Sequence, residues 1–110
     1  MNGSTGCSTV LVTAPDLETA RKLAKAVLDQ RLAACANLIP QVESHYWWQQ
    51  RQEASQEVMI LFKTTNEKTG ALEEKVMTLH PYETPAFVEL EIKSGSIPFL
   101  QWIKDETSKS

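Results

Sequence analysis

Apolar residues follow two rhythms along this chain. Val10-Leu11-Val12, inside Ser8 to Thr13, is apolar on both faces, as a strand at the centre of a sheet is. After the turn Thr13-Ala14-Pro15-Asp16, the residues Leu17, Ala20, Leu23, Ala24, Val27 and Leu28 recur at helical spacing, with Arg21, Lys22 and Lys25 on the other side. Asp16 is placed to cap this helix and Glu18 to complement its dipole; the helix is expected to end near Gln30. Leu32 to Trp48 reads as one long strand, bent or bulged at Pro40. Its second half puts Val42, Ser44, Tyr46 and Trp48 on one face, with Glu43, His45 and Trp47 on the other.

The polar run Gln49 to Glu53 reads as a hairpin tip, and Val58-Met59-Ile60-Leu61-Phe62 as a second central strand. Leu72, Val76 and Leu79 set a second helix, capped by Thr65 or Asn66. Phe87 to Ile92 alternates as a half-buried strand; Ser94-Gly95-Ser96 breaks it, and Phe99, Leu100, Trp102 and Ile103 form a short terminal helix. Residues 1–7 read as a loose tail, 8–107 as one domain, and Glu106 to Ser110 as frayed. Between second helix and last strand lies His80-Pro81-Tyr82-Glu83-Thr84-Pro85. Each proline fixes its own φ and drives the residue before it out of the helical region, so this joint is stiff.

The order strand, helix, strand, strand, helix, strand, helix folds into an α+β split βαβ sheet, antiparallel, with the first and third strands central. Helices cover one face of such a sheet. Leu11, Met59 and Leu61 then form an apolar patch on the other, which soluble monomers avoid. Tyr46-Trp47-Trp48 on the hairpin points the same way, because Trp and Tyr concentrate at interfaces. A cyclic homo-oligomer with the sheet faces inside is expected, with Tyr46, Trp47 and Trp48 in the contact.

Composition narrows the function. With 110 residues, 42% hydrophobic and 23% charged, the chain has the make-up of an ordinary globular domain. A net charge of −3 without a Lys/Arg cluster argues against nucleic acid, and no apolar run approaches the roughly 20 residues that span a bilayer. The polar N-terminus, Met1 to Gly6, lacks the basic and apolar regions of a signal peptide, so a cytoplasmic location with Cys7 and Cys35 as free thiols is expected. Neither CxxC nor a Gly-rich phosphate loop occurs, so no organic cofactor is assigned.

Several blocks, in order and spacing, carry a resemblance. They are Thr13-Ala14-Pro15, Arg31 to Pro40, Tyr46-Trp47-Trp48, Phe62-Lys63-Thr64 and His80 to Pro85. Together they resemble the CutA family of divalent-cation tolerance proteins, over about Val10 to Ile103. The resemblance implies a trimer of ferredoxin-like subunits, akin to the PII signalling proteins, whose hairpins clasp their neighbours. It also implies a link to copper and other divalent cations; the expected role is weak binding rather than catalysis.

Within that frame His80 is the candidate metal ligand, since a neutral imidazole suits copper or zinc. Some bacterial members resembling this chain carry a cysteine late in the first strand and a second histidine before the His-Pro pair; here Val12 and Leu79 stand in those places. Cys35, Asn37, Lys63, Tyr82 and Glu83 are expected to line an inter-subunit cleft, and a PII-like small molecule or partner there is the alternative function. Glu53, Glu57, Glu67, Glu73 and Glu74 read as a solvated face. Catalysis would need a nucleophile beside a base; Cys35 and His80 supply the residue types, nothing in the sequence places them together, and no catalytic residue is assigned.

Overall fold

A computed structural model describes residues 4–109. In chain order it contains β1 (Cys7–Ala14), α1 (Leu17–Asp29), β2 (Cys35–Trp48), β3 (Arg51–Thr65), α2 (Thr69–Leu79), β4 (Phe87–Glu91) and α3 (Ile97–Ser108). The strands form one antiparallel sheet in the order β2-β3-β1-β4, so the two runs that are apolar on both faces are the central strands. On one face Val10, Val12 and Ala14 meet Val58, Ile60 and Phe62 under Ala20, Leu23 and Val27 of α1 and Leu72 and Val76 of α2, all buried. This is the core, and its burial is the main stabilising term.

The other face is largely bare. Register puts Leu11 between Leu61 and Val88, Ile39 beside Met59, and Thr9 beside Leu90 on that side. Helix α3 covers only the end of it, where Cys7 Sγ lies 3.9 Å from the Leu100 carbonyl and Ile103 is fully buried. Burial pushes the Cys7 thiol above its ordinary pKa, which keeps it an inert core residue.

Several expected boundaries move. The tail is shorter than residues 1–7: β1 begins at Cys7, Thr5 donates to the Ile92 carbonyl and Ser4 to Glu91, while residues 1–3 lie outside the described ones. The hairpin tip is not Gln49 to Glu53 but Gln49-Gln50 alone, both at positive φ (53° and 66°), and the ladder resumes at Trp48–Arg51. A two-residue turn of that hand matches the twist of the strands it joins. Arg51 to Glu53 look like loop because this ribbon is wet on both sides, so nothing demands alternation. Residues 32–34 precede β2 rather than belonging to it. The irregularity at Pro40 is present: the register shifts between Ile39 and Val42, with Gln41 at φ 63°.

The helix ends follow side-chain chemistry. Asp16 caps α1 by accepting the Thr19 N–H at 2.7 Å, which holds its carboxyl below the usual carboxylate range. Neither Thr65 nor Asn66 caps α2. Thr65 closes β3, a turn of 3-10 helix over Asn66–Lys68 leads in, and the Asn66 side chain is taken by Ser8. Ser96 caps α3, which runs past the expected fraying point because Arg31 of the α1 end donates to the Glu106 carbonyl and carboxylate, and Thr107 is buried.

Candidate functional site

The stiff joint takes its shape from its prolines. Helix α2 stops at Leu79 because Pro81 forces His80 out of the helical region, and His80 lies at φ −74°, ψ 137°. Its backbone N–H still closes the last helical turn on the Val76 carbonyl at 2.8 Å. The side chain turns inward, 8% exposed, and both ring nitrogens are engaged: Nε2–H donates to the Thr13 carbonyl at 2.7 Å, and Nδ1 accepts the Tyr82 N–H at 3.1 Å. Those two bonds fix one neutral tautomer and leave no free lone pair. The expected ligand role of His80 is therefore corrected: it pins the joint to β1. Among the described residues, no three His, Cys, Asp or Glu side chains gather as a metal would require.

Pinning His80 swings Tyr82 over the bare sheet face. The two rings lie 4.7 Å apart, tilted by 51°, and the Tyr82 hydroxyl donates to Glu57 Oε2 at 2.8 Å. Burial, then the bond to Glu57, pushes the phenol well above its ordinary pKa. Glu57 is 8% exposed, so the expectation that it belongs to a solvated face is also corrected. Strand parity could have found it: Glu57 precedes Val58 and shares the face of Met59 and Leu61, opposite Val42.

Between the joint and the hairpin runs an open groove of about 1020 Å³. Its walls include Tyr46, Trp47, Trp48 and Glu53 of the hairpin, Thr13 and Glu57 of the central strands, and Pro81, Tyr82, Glu83 and Pro85 of the joint. A smaller recess of about 430 Å³ lies on the hairpin around His45, Trp47 and Gln52. Beside it the His45 Nε2 lies 2.6 Å from Glu43 Oε2, an exposed imidazole–carboxylate pair.

The five residues expected to share one cleft fall into two groups within the subunit. Tyr82 and Glu83 line the groove. Cys35, Asn37 and Lys63 stand at the far end of the bare face, where Lys63 Nζ donates to the Asn37 side-chain oxygen and Cys35 Sγ lies 3.9 Å from that oxygen. Cys35 pairs with Lys63, whereas His80 bonds to Thr13, opposite Met59. Four strand positions, roughly 13 Å at about 3.3 Å per residue, separate them, so within one subunit the thiol and imidazole do not form a catalytic pair.

The family model for the CutA1 divalent ion tolerance protein matches residues 8–106. This chain belongs to the CutA1 family. It is 43% identical over 98 residues to the divalent-cation tolerance protein CutA of Thermus thermophilus, covering 89% of this chain and 95% of that protein. The human Protein CutA is 40% identical over 100 residues, 91% of this chain, but the chain spans only 56% of its length. Among solved structures, CutA1 from Oryza sativa superposes with a TM-score of 0.91 at 34% identity, covering 97% of this chain and 98% of that one. The split βαβ sheet with its trailing helix is thus the CutA1 fold, and its His-Pro-Tyr-Glu-Thr-Pro joint closes one end of the sheet face that α3 leaves bare.

Proposed function

We propose that this chain serves divalent-cation tolerance, as a homotrimer that holds copper or another divalent cation weakly and by binding rather than catalysis. The observation that carries the reading is the family match over residues 8–106. His80 and its surroundings do not fit a resident metal, because both ring nitrogens are already bonded. Weak binding falls instead to accessible donors, of which the His45–Glu43 pair combines an imidazole and a carboxylate that copper favours. The trimer is supported by the bare face carrying Leu11, Met59 and Leu61 and by Tyr46, Trp47 and Trp48, which are 43%, 68% and 43% exposed in the single chain. A cytoplasmic location completes the proposal, supported by two free cysteines.

The test is growth on raised copper of a bacterial strain lacking its own family member, with and without this chain. Restored growth is expected. Identical growth curves across the copper series would overturn the tolerance reading. Copper titration of the purified protein adds the molecular arm, with His45→Ala expected to weaken binding severalfold.

A further inference from the structure

The bare face is charged unevenly from end to end. Residues of β3 alternate across the sheet, so Glu57, Met59, Leu61 and Lys63 stand on this face in a row. A carboxylate opens the row, an ammonium closes it, and the two positions between are apolar. At the first end Glu53, Glu57 and Glu83 line the groove, and no Lys, Arg or His does. At the other end the register neighbours of Lys63 are Thr9 on β1 and Cys35 on β2, neither of them a carboxylate.

Neither charge is answered within the subunit. Glu57 is 8% exposed, and among the described residues its side chain has one hydrogen-bond partner, the Tyr82 hydroxyl, and no ion-pair partner. Lys63 donates to the Asn37 side-chain oxygen and, among the described residues, also lacks an ion-pair partner. Six strand positions, roughly 20 Å at about 3.3 Å per residue, keep the two apart in one chain. A carboxylate removed from water carries a desolvation cost that a facing cation offsets. A second copy can supply that cation. In a ring closed by rotation, each subunit presents one patch to the neighbour on one side and a different patch to the other. The row fits such a contact, because its positive end complements the negative end of a copy.

We propose that Lys63 of each subunit enters the carboxylate-lined groove of the next and pairs there with Glu57 of the partner subunit. The groove is then filled by the assembly rather than open in it. The pair rests on the trimer reading above and adds to it the contact that closes the ring. The same contact carries Cys35 and Asn37, the neighbours of Lys63, toward Tyr82 and Glu83 of the partner subunit, so the two groups of residues share one cleft only after assembly.

The experiment compares the full-length wild type with Glu57→Gln, Lys63→Gln and the double variant. Sedimentation velocity reads the fraction of trimer over a dilution series, in urea where dilution alone leaves the trimer intact. Each single substitution is expected to raise the dissociation concentration at least tenfold, and the double no more than about threefold beyond either single. Positions this far apart in one chain do not couple, so that shortfall from additivity reports a contact between copies. Lys63→Arg, which keeps the charge, should assemble as the wild type does. Additive effects in folded variants would overturn the pair. If Glu57→Gln fails to fold, the Lys63 variants decide alone: wild-type assembly of Lys63→Gln would overturn it. So would a larger loss from Arg51→Gln, at the exposed hairpin turn opposite Trp48, which would give the groove to the partner's turn instead. A wild type that is monomeric throughout would overturn the trimer reading and the pair together, whereas a trimeric wild type with additive substitutions overturns the pair alone.

Discussion

His80 and Tyr82 act as one unit, and each makes a prediction. His80→Ala removes the donor to the Thr13 carbonyl and the acceptor for the Tyr82 N–H, leaving part-buried backbone groups without that partner. The expected cost is about 1–3 kcal/mol of stability, read in chemical denaturation. The copper isotherm should overlay the wild type. A copper isotherm weakened in a folded His80→Ala variant would restore the ligand role that the geometry removes. Tyr82 predicts an alkaline limb. Its folded pKa is raised, so the unfolded chain loses the phenolic proton first as pH climbs. The contribution is therefore complete below about pH 10 and declines above it. Denaturation midpoints measured from pH 8 to 11 should fall more steeply for wild type than for Tyr82→Phe; parallel curves would sink this account.

At the scale of elements, centres were more legible than ends. Val10 to Val12 and Val58 to Phe62 announced central strands because both runs are apolar on both faces, the pattern of a strand inside a sheet. The ends of β3 and α2 depend on contacts distant in sequence, such as Ser8 reaching Asn66, and no local pattern records those. The same limit hid the groove: Tyr82 and Glu57 are 25 residues apart and meet only because His80 turns the joint inward. The joint's stiffness was readable from two prolines, yet the direction of its histidine was not. The hairpin offers a test of what was misread. Gln49 and Gln50 both hold left-handed backbone, which costs non-glycine residues roughly 1–2 kcal/mol each. Replacing them with Asn and Gly, the residues such a turn favours, should raise stability by about 1 kcal/mol. A melting temperature unchanged or lowered would show that the ribbon's register does not rest on this turn.

The whole molecule is elongated. Its radius of gyration is 14.7 Å, against about 13 Å for a compact chain of this length, and the excess lies in the β2–β3 hairpin that lengthens it to 44 Å. An isolated subunit would hold that arm, with its three exposed aromatics, in water. It would also expose a sheet face on which Ile39, Val88 and Leu90 are 42%, 46% and 49% accessible. Helices α1 and α2 cannot relieve this, because they occupy the other face, and α3 and the proline joint reach only its two ends. In the proposed trimer, closing three subunits about an axis would bury all three faces at once without leaving an edge for further growth. Light scattering should therefore give three times the 12.4 kDa chain mass. Leu61 sits at the middle of the face, between Leu11 and Asn37, so Leu61→Asp should drive a carboxylate into the contact and release subunits or aggregates. Glu74→Gln, on the exposed side of α2, is the control that should leave the mass unchanged. A wild-type mass of one chain would end the trimer proposal and leave the bare face in need of a different partner.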